Sequence, residues 1–172
     1  MATSGQVNKG GIAPAIPYAG GSVFHTGAAA PPTTTTGTDA VPVITEEYVA
    51  EVLVHHNCLL TGVSVLNGSA VSGNYTVILY DSNGAILANS ASTAQSGTAA
   101  YQKVPFATAY QAKGPAKYFV GIQIDNTTAR IRTHILGNFG ASKKTGQTYG
   151  TLTALTAPTT FTTGLGPIAD LY

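Results

Sequence analysis

Charge is what this chain has least of: Lys, Arg, Asp and Glu make up 9% of its 172 residues, against about a quarter in ordinary soluble domains. The net charge is only +1, so no global field steers the molecule toward nucleic acid or an anionic membrane. Tryptophan is absent, and Cys58 is the single cysteine, which excludes an intrachain disulfide and a cysteine-rich zinc site. No apolar run approaches the ~20 residues that span a bilayer, and the start of the chain lacks the basic residues and continuous apolar stretch of a secretory signal. These absences predict a protein made and assembled in the cytoplasm, with no nucleic-acid or membrane partner. Heptads and internal repeats are missing as well. Polarity comes instead from Thr, Ser, Asn and Gln, as on a surface that rests against neighbours and traps water there.

The length predicts one core of ordinary size and no second one. Residues 1–45 carry only Lys9 and Asp39 as formal charges and are crowded with Gly, Ala, Pro and Thr, including Pro31-Pro32 before four threonines. A disordered linker usually stays soluble through net charge, whereas this stretch is nearly neutral and sets Ile12, Ile16, Tyr18, Val23 and Phe24 as isolated apolar pegs. It reads as an extended arm laid on another subunit. Low complexity returns over 137–172, where single large residues, among them Phe139, Tyr149, Phe161 and Ile168, again stand apart. Their spacing is too wide to close a core, which suits a second arm anchored by pockets on a host surface.

Between the arms, residues 46–136 consist of short Val/Ile/Tyr-rich runs divided by turn dipeptides, the pattern of an all-β antiparallel sandwich. Strands are predicted over 48–54, 59–66, 74–80, 85–88, 101–106, 117–125 and 130–136. Asn67-Gly68 and Asn83-Gly84 supply the residues that tight turns require. Alternation puts Tyr118, Val120, Ile122 and Ile124 on one face, and Ile131, Thr133 and Ile135 on another, both predicted to be core. Arg130, Arg132 and His134 then share the opposite side, either as a solvated face or as a contact for an acidic partner. Ile44, Tyr48, Val49, Val52, Leu53 and His56 also fit a helical spacing after Thr45 as N-cap, but Val and Tyr density favours a strand.

Reactive constellations are sparse. His55, His56 and Cys58 lie close together, and His25 or His134 could join them at a metal, yet adjacent residues of a strand point to opposite faces. Residues 137–145 superficially resemble a phosphate-binding loop but lack the glycine before Lys-Thr and the following helix. Asp81-Ser82-Asn83-Gly84 alternates oxygen ligands without the later bidentate glutamate of a calcium loop. No nucleophile elbow occurs, and Asp81, Asp125, Glu46, Glu47 and Glu51 do not suggest a glycosidase pair. Sequons at Asn67, Asn74 and Asn126 are expected by chance in so Ser/Thr-rich a chain. The reading is a protein without catalytic residues, metal or cofactor.

The segment Asn74-Tyr-Thr-Val-Ile-Leu-Tyr-Asp-Ser-Asn-Gly-Ala-Ile-Leu-Ala88, with Gly114-Pro-Ala-Lys-Tyr-Phe-Val-Gly-Ile-Gln123, resembles strand pairs of the jelly-roll-like sandwiches in tailed-bacteriophage virion proteins. Arms, low charge and absent cysteine pairs are likewise similar to capsid decoration or cement proteins. That resemblance implies a virion protein on the outer capsid surface, with the major capsid protein and neighbouring copies of itself as partners. A sandwich alone does not select the role. A head or tail fibre or adaptor is one alternative; a carbohydrate-binding module using Tyr75, Tyr80, Tyr101, Tyr110 or Tyr118 is another.

Overall fold

The computed structural model describes residues 24–27, 37–135 and 139–172. All regular structure in them is strand: β1 Phe24–His25, β2 Thr38–Ala40, β3 Glu47–Val54, β4 Cys58–Leu66, β5 Asn74–Tyr80, β6 Ile86–Asn89, β7 Thr93–Ala94, β8 Tyr101–Ala112, β9 Ala116–Ile124, β10 Ile131–Thr133, β11 Ala141–Lys144 and β12 Ala169–Leu171. The disputed stretch around Tyr48 is strand, since β3 pairs with β9 along its whole length, from Glu47 opposite Gln123 to Val54 opposite Ala116.

Two antiparallel sheets face each other. One runs β1-β12-β4-β8 and the other β11-β3-β9-β5-β6, with β7 added beside β5 and a separate β10-β2 pair at one side. The period-two reading of β9 holds: Tyr118, Val120, Ile122 and Ile124 meet Tyr75, Val77 and Leu79 of β5, Tyr48, Val52 and Val54 of β3, and Leu60, Val63 and Val65 of β4 in one buried cluster. Alternation then places Thr76, Ile78, Tyr80, Phe119, Gly121, Gln123, Glu47 and Val49 on the outer face of the larger sheet. They are buried there too.

Residues 147–158 cover that outer face, running across the strands as a strap. The strap is tied by its backbone: Gly150 N–H donates to Gln123 Oε1 at 3.2 Å, Thr151 O accepts from Gln123 Nε2 at 3.3 Å, and Leu155 N–H donates to Gly84 O at 2.8 Å. Leu155 packs with Val49, Ile78, Tyr80 and Phe119, forming a second small core outside the sandwich. Gly84 permits this twice over. Its φ of +88° suits the turn, and a Cβ there would sit 1.8 Å from Leu155 O.

Both side seams of the sandwich are stitched. At Glu51 the edge of β3 changes partner: its N–H donates to Gly140 O at 2.7 Å, while its C=O accepts from Gly27 at 3.1 Å, and Thr26 bridges Val52. On the far side Phe106 of β8 bridges Ser90, just beyond β6. Long open strand edges, the usual liability of a sandwich, are therefore reduced.

The boundaries drawn at 45 and 136 do not coincide with these sheets. Phe24 lies in the main core, Phe139 packs on Ala50, Ala141 and Phe161, and Ile168 is fully buried. As pegs for a neighbouring subunit these three are corrected: pairing partners far along the chain give them pockets at home, which local spacing does not reveal. Ile12, Ile16, Tyr18 and Val23 lie outside the described residues. The Ile135 expectation is also corrected, because β10 ends at Thr133 and the chain turns: Ile135 is 49% exposed, whereas His134 is buried.

Candidate functional site

The most unusual chemistry lies where β1 and β12 meet. His25 on β1 faces Asp170 on β12, which faces Ser64 on β4. His25 Nδ1 bonds Asp170 Oδ1, and both side chains are almost completely buried. Next to them, Thr26 Oγ1 donates to Pro167 O at 2.8 Å and accepts Ala169 N–H at 3.0 Å. A hydroxyl has one proton to give, so the 3.1 Å contact between Thr26 Oγ1 and His134 Nε2 must be donated by the imidazole. His134 thus carries a proton on Nε2. Burial, reinforced by the nearby His25, pushes its pKa down to about 4.

Serine, histidine and aspartate in one row invite comparison with a nucleophilic triad, but the order is wrong. The carboxylate stands between the other two, so Ser64 has no imidazole beside it, and Ser64 and Asp170 are 1% and 0% exposed. This is a structural clasp for two strands.

A second buried carboxylate lies under the strap. Glu47 Oε1 accepts Tyr80 O–H at 2.6 Å and Oε2 accepts Gln123 Nε2 at 3.2 Å. Room for this pair is left by Gly121, whose Cβ would fall 2.1 Å from Glu47 Oε1. Burial raises the Glu47 pKa, with the Tyr80 and Gln123 bonds opposing it. Its neighbour Glu46 faces the other way, accepting Lys143 Nζ at 2.6 Å and Tyr48 O–H at 2.8 Å.

The basic stripe proves to have an acidic neighbour, within the chain itself. Asp39 of β2 lies 3.6 Å from Arg130 Nη1 and 3.9 Å from Arg132 Nε, and it accepts Ser69 N–H at 2.9 Å. Burial works against its charge, yet the Ser69 bonds and both guanidinium groups outweigh that and hold its pKa below the usual value. His134, the third member of the predicted contact, is turned inward and does not join the arginines.

The other candidates disperse. His55 is exposed and His56 half-buried, their rings 6.0 and 5.4 Å from that of Phe24. Among the described residues no three of His, Cys, Asp and Glu gather as a ligand set. Asp81 Oδ1 is occupied by the N–H groups of Asn83 and Ala85, each at 2.8 Å, as a turn residue. Asn67 is fully buried, donating to Ser96 O at 2.6 Å and accepting Gln95 Nε2 at 3.0 Å. Tyr75, Tyr80 and Tyr118 are buried and cannot serve as sugar platforms. Tyr149 is half-buried, its hydroxyl 2.7 Å from Ser92 Oγ, and Phe161 is half-buried against Phe139. The His25–Asp170 pair had no signal in the sequence, since 145 positions separate its members.

No family model, curated protein or solved structure matches this chain.

Proposed function

We propose that the protein is a non-enzymatic virion component that binds and reinforces the outer surface of a phage capsid. The observation that carries this reading is the composition of residues 1–23: one charge, Lys9, among Gly, Ala, Pro and spaced apolar residues. Neighbouring subunits would supply the burial that such a segment needs to order, since each fixed residue costs roughly 1 to 2 kcal/mol. Ile12, Ile16, Tyr18 and Val23 are the side chains assigned to that contact. The sandwich supports the same reading as a stapled, weakly charged body. Once it is docked, a tethered arm acts at an effective concentration of ~mM, so shallow contacts suffice.

The test uses particles and purified full-length protein. Deleting residues 1–23 leaves β1 and everything after it in place, so the sandwich should fold while binding to the major capsid protein and particle heat resistance fall. Binding to particles undiminished by the deletion would rule out the arm as the capsid contact, and failure of the full chain to associate with particles at all would sink the capsid reading.

A further inference from the structure

β12, the last strand among the described residues, is inserted into the middle of a sheet. β12 lies between β4 and β1, pairing Ala169 with Val65 and Leu171 with Val63 on one side and Asp170 with His25 on the other. Without it, β4 and β1 face each other across an open slot. The slot specifies its occupant fully: Ile168, Ala169 and Leu171 are completely buried, Thr26 Oγ1 bonds both Pro167 O and Ala169 N–H, and His25 bonds the one carboxylate. A one-residue slip would drive Asp170 into the apolar core and take its carboxylate away from His25.

The connection that delivers the strand is held by backbone alone, Gly164 N–H donating to His134 O at 3.0 Å. Thr162 and Thr163 are exposed, and Gly164 turns the chain at φ +76° with nothing within 4 Å of where a Cβ would stand. Recognition therefore resides in the strand and slot, and the connection does not determine which chain supplies the strand. We infer that residues 165–172 are exchangeable between copies, the slot of one molecule accepting β12 of a second. Such a swap remakes the same contacts and differs only at the linker. Local docking wins in dilute solution, and exchange gains as neighbouring copies approach the ~mM effective concentration of the tethered strand. This inference stands apart from the capsid reading, because it is tested on the isolated protein.

The buried pair provides the test. His25→Asp sets two carboxylates against each other within one chain, and Asp170→His sets two imidazoles together. When the two full-length variants are refolded together, a mutual swap restores an Asp–His pair in both slots. The expected result is a 1:1 heterodimer of twice the monomer mass by native mass spectrometry, with a higher unfolding temperature than either variant refolded alone. In parallel, Lys103→Cys and Tyr172→Cys are placed in separate Cys58→Ala chains, using the contact in which Lys103 Nζ lies 4.8 Å from the Tyr172 ring. Concentrating and refolding these together with a short bismaleimide should give covalent dimers well above those from Thr108→Cys mixed with Tyr172→Cys. Mixtures that give no heterodimer, together with cross-linking no greater than the Thr108 control, overturn exchange even if the charge variants fold poorly.

Discussion

His134 is a buried imidazole kept neutral, which makes it a source of acid sensitivity. Unfolded, it titrates near 6.5; folded, near 4. Between those values the unfolded chain binds the proton that the folded one refuses, so stability is full above about pH 6.5 and declines as pH falls toward 4. The whole effect is at most about 3 kcal/mol at one pKa unit per 1.36 kcal/mol. Denaturant titrations at pH 7 and pH 4.5 should show this loss, and His134→Gln, which keeps an N–H for Thr26, should flatten it. Glu47 has the opposite sign. Its raised pKa means that the folded state favours the protonated acid, so its contribution is present at low pH and is lost as pH rises through the folded value. Glu47→Gln is accordingly expected to be at least as stable as the parent at pH 8. Glu47→Ala should lose about 2 kcal/mol, because the Tyr80 hydroxyl and Gln123 amide are left buried without their acceptor.

Among the elements, the strap is the one whose contribution can be measured without disturbing the main core. Leu155→Ala removes the strap's buried contribution to the small outer core and should cost about 2 kcal/mol, near the low end for a buried leucine because it lies close to the surface. Hydrogen exchange at Gly150 and Leu155 should accelerate in that variant while the amides of β9 stay protected. The strap also marks where sequence reasoning stopped. Long strands with alternating or continuous apolar character were legible: β3, β4, β5 and β9 agree with their predicted spans to within a residue or so, whereas β8 runs six residues beyond the predicted 101–106. The short strands β1, β2, β7, β11 and β12 were not, because two to four residues carry no period and their pairing is decided by partners far away. Tertiary contact also explains the second miss. Widely spaced apolar residues such as Phe139, Leu155 and Ile168 have the same appearance whether their pockets belong to another subunit or to the chain's own sheets. Of the site, the arginines read as a solvated face or as a contact for an acidic partner, and nothing in the sequence showed that Asp39, assigned to an arm, lies beside them.

At the level of the whole molecule, the sandwich depends on segments outside its central 46–136 stretch. That fragment would lack β1, β2, β11 and β12, leaving the slot beside β4 and the outer face of the larger sheet uncovered. It should show a broad, weakly cooperative thermal transition and bind a hydrophobic dye, whereas a chain deleted only for 1–23 should melt sharply near the parent temperature. A fragment as cooperative as the full chain would contradict this dependence on the terminal strands. Stitching at Val52–Thr26 and Phe106–Ser90 likewise makes the two sheets one unfolding unit.

The clasp between His25 and Asp170 also sets a clock. A chain grows from its N-terminus at roughly 5 to 20 residues per second, so the 145 positions between the two correspond to a delay of roughly 7 to 30 s at that rate. Throughout that interval Phe24 has been made and β12 has not, and the sheet that should hold it is incomplete. Closure must wait until Ala169–Leu171 have left the ribosome. Newborn copies on one messenger therefore carry open slots close to one another, and a pause in translation before the codons of β12 prolongs the period in which they are vulnerable to mispairing.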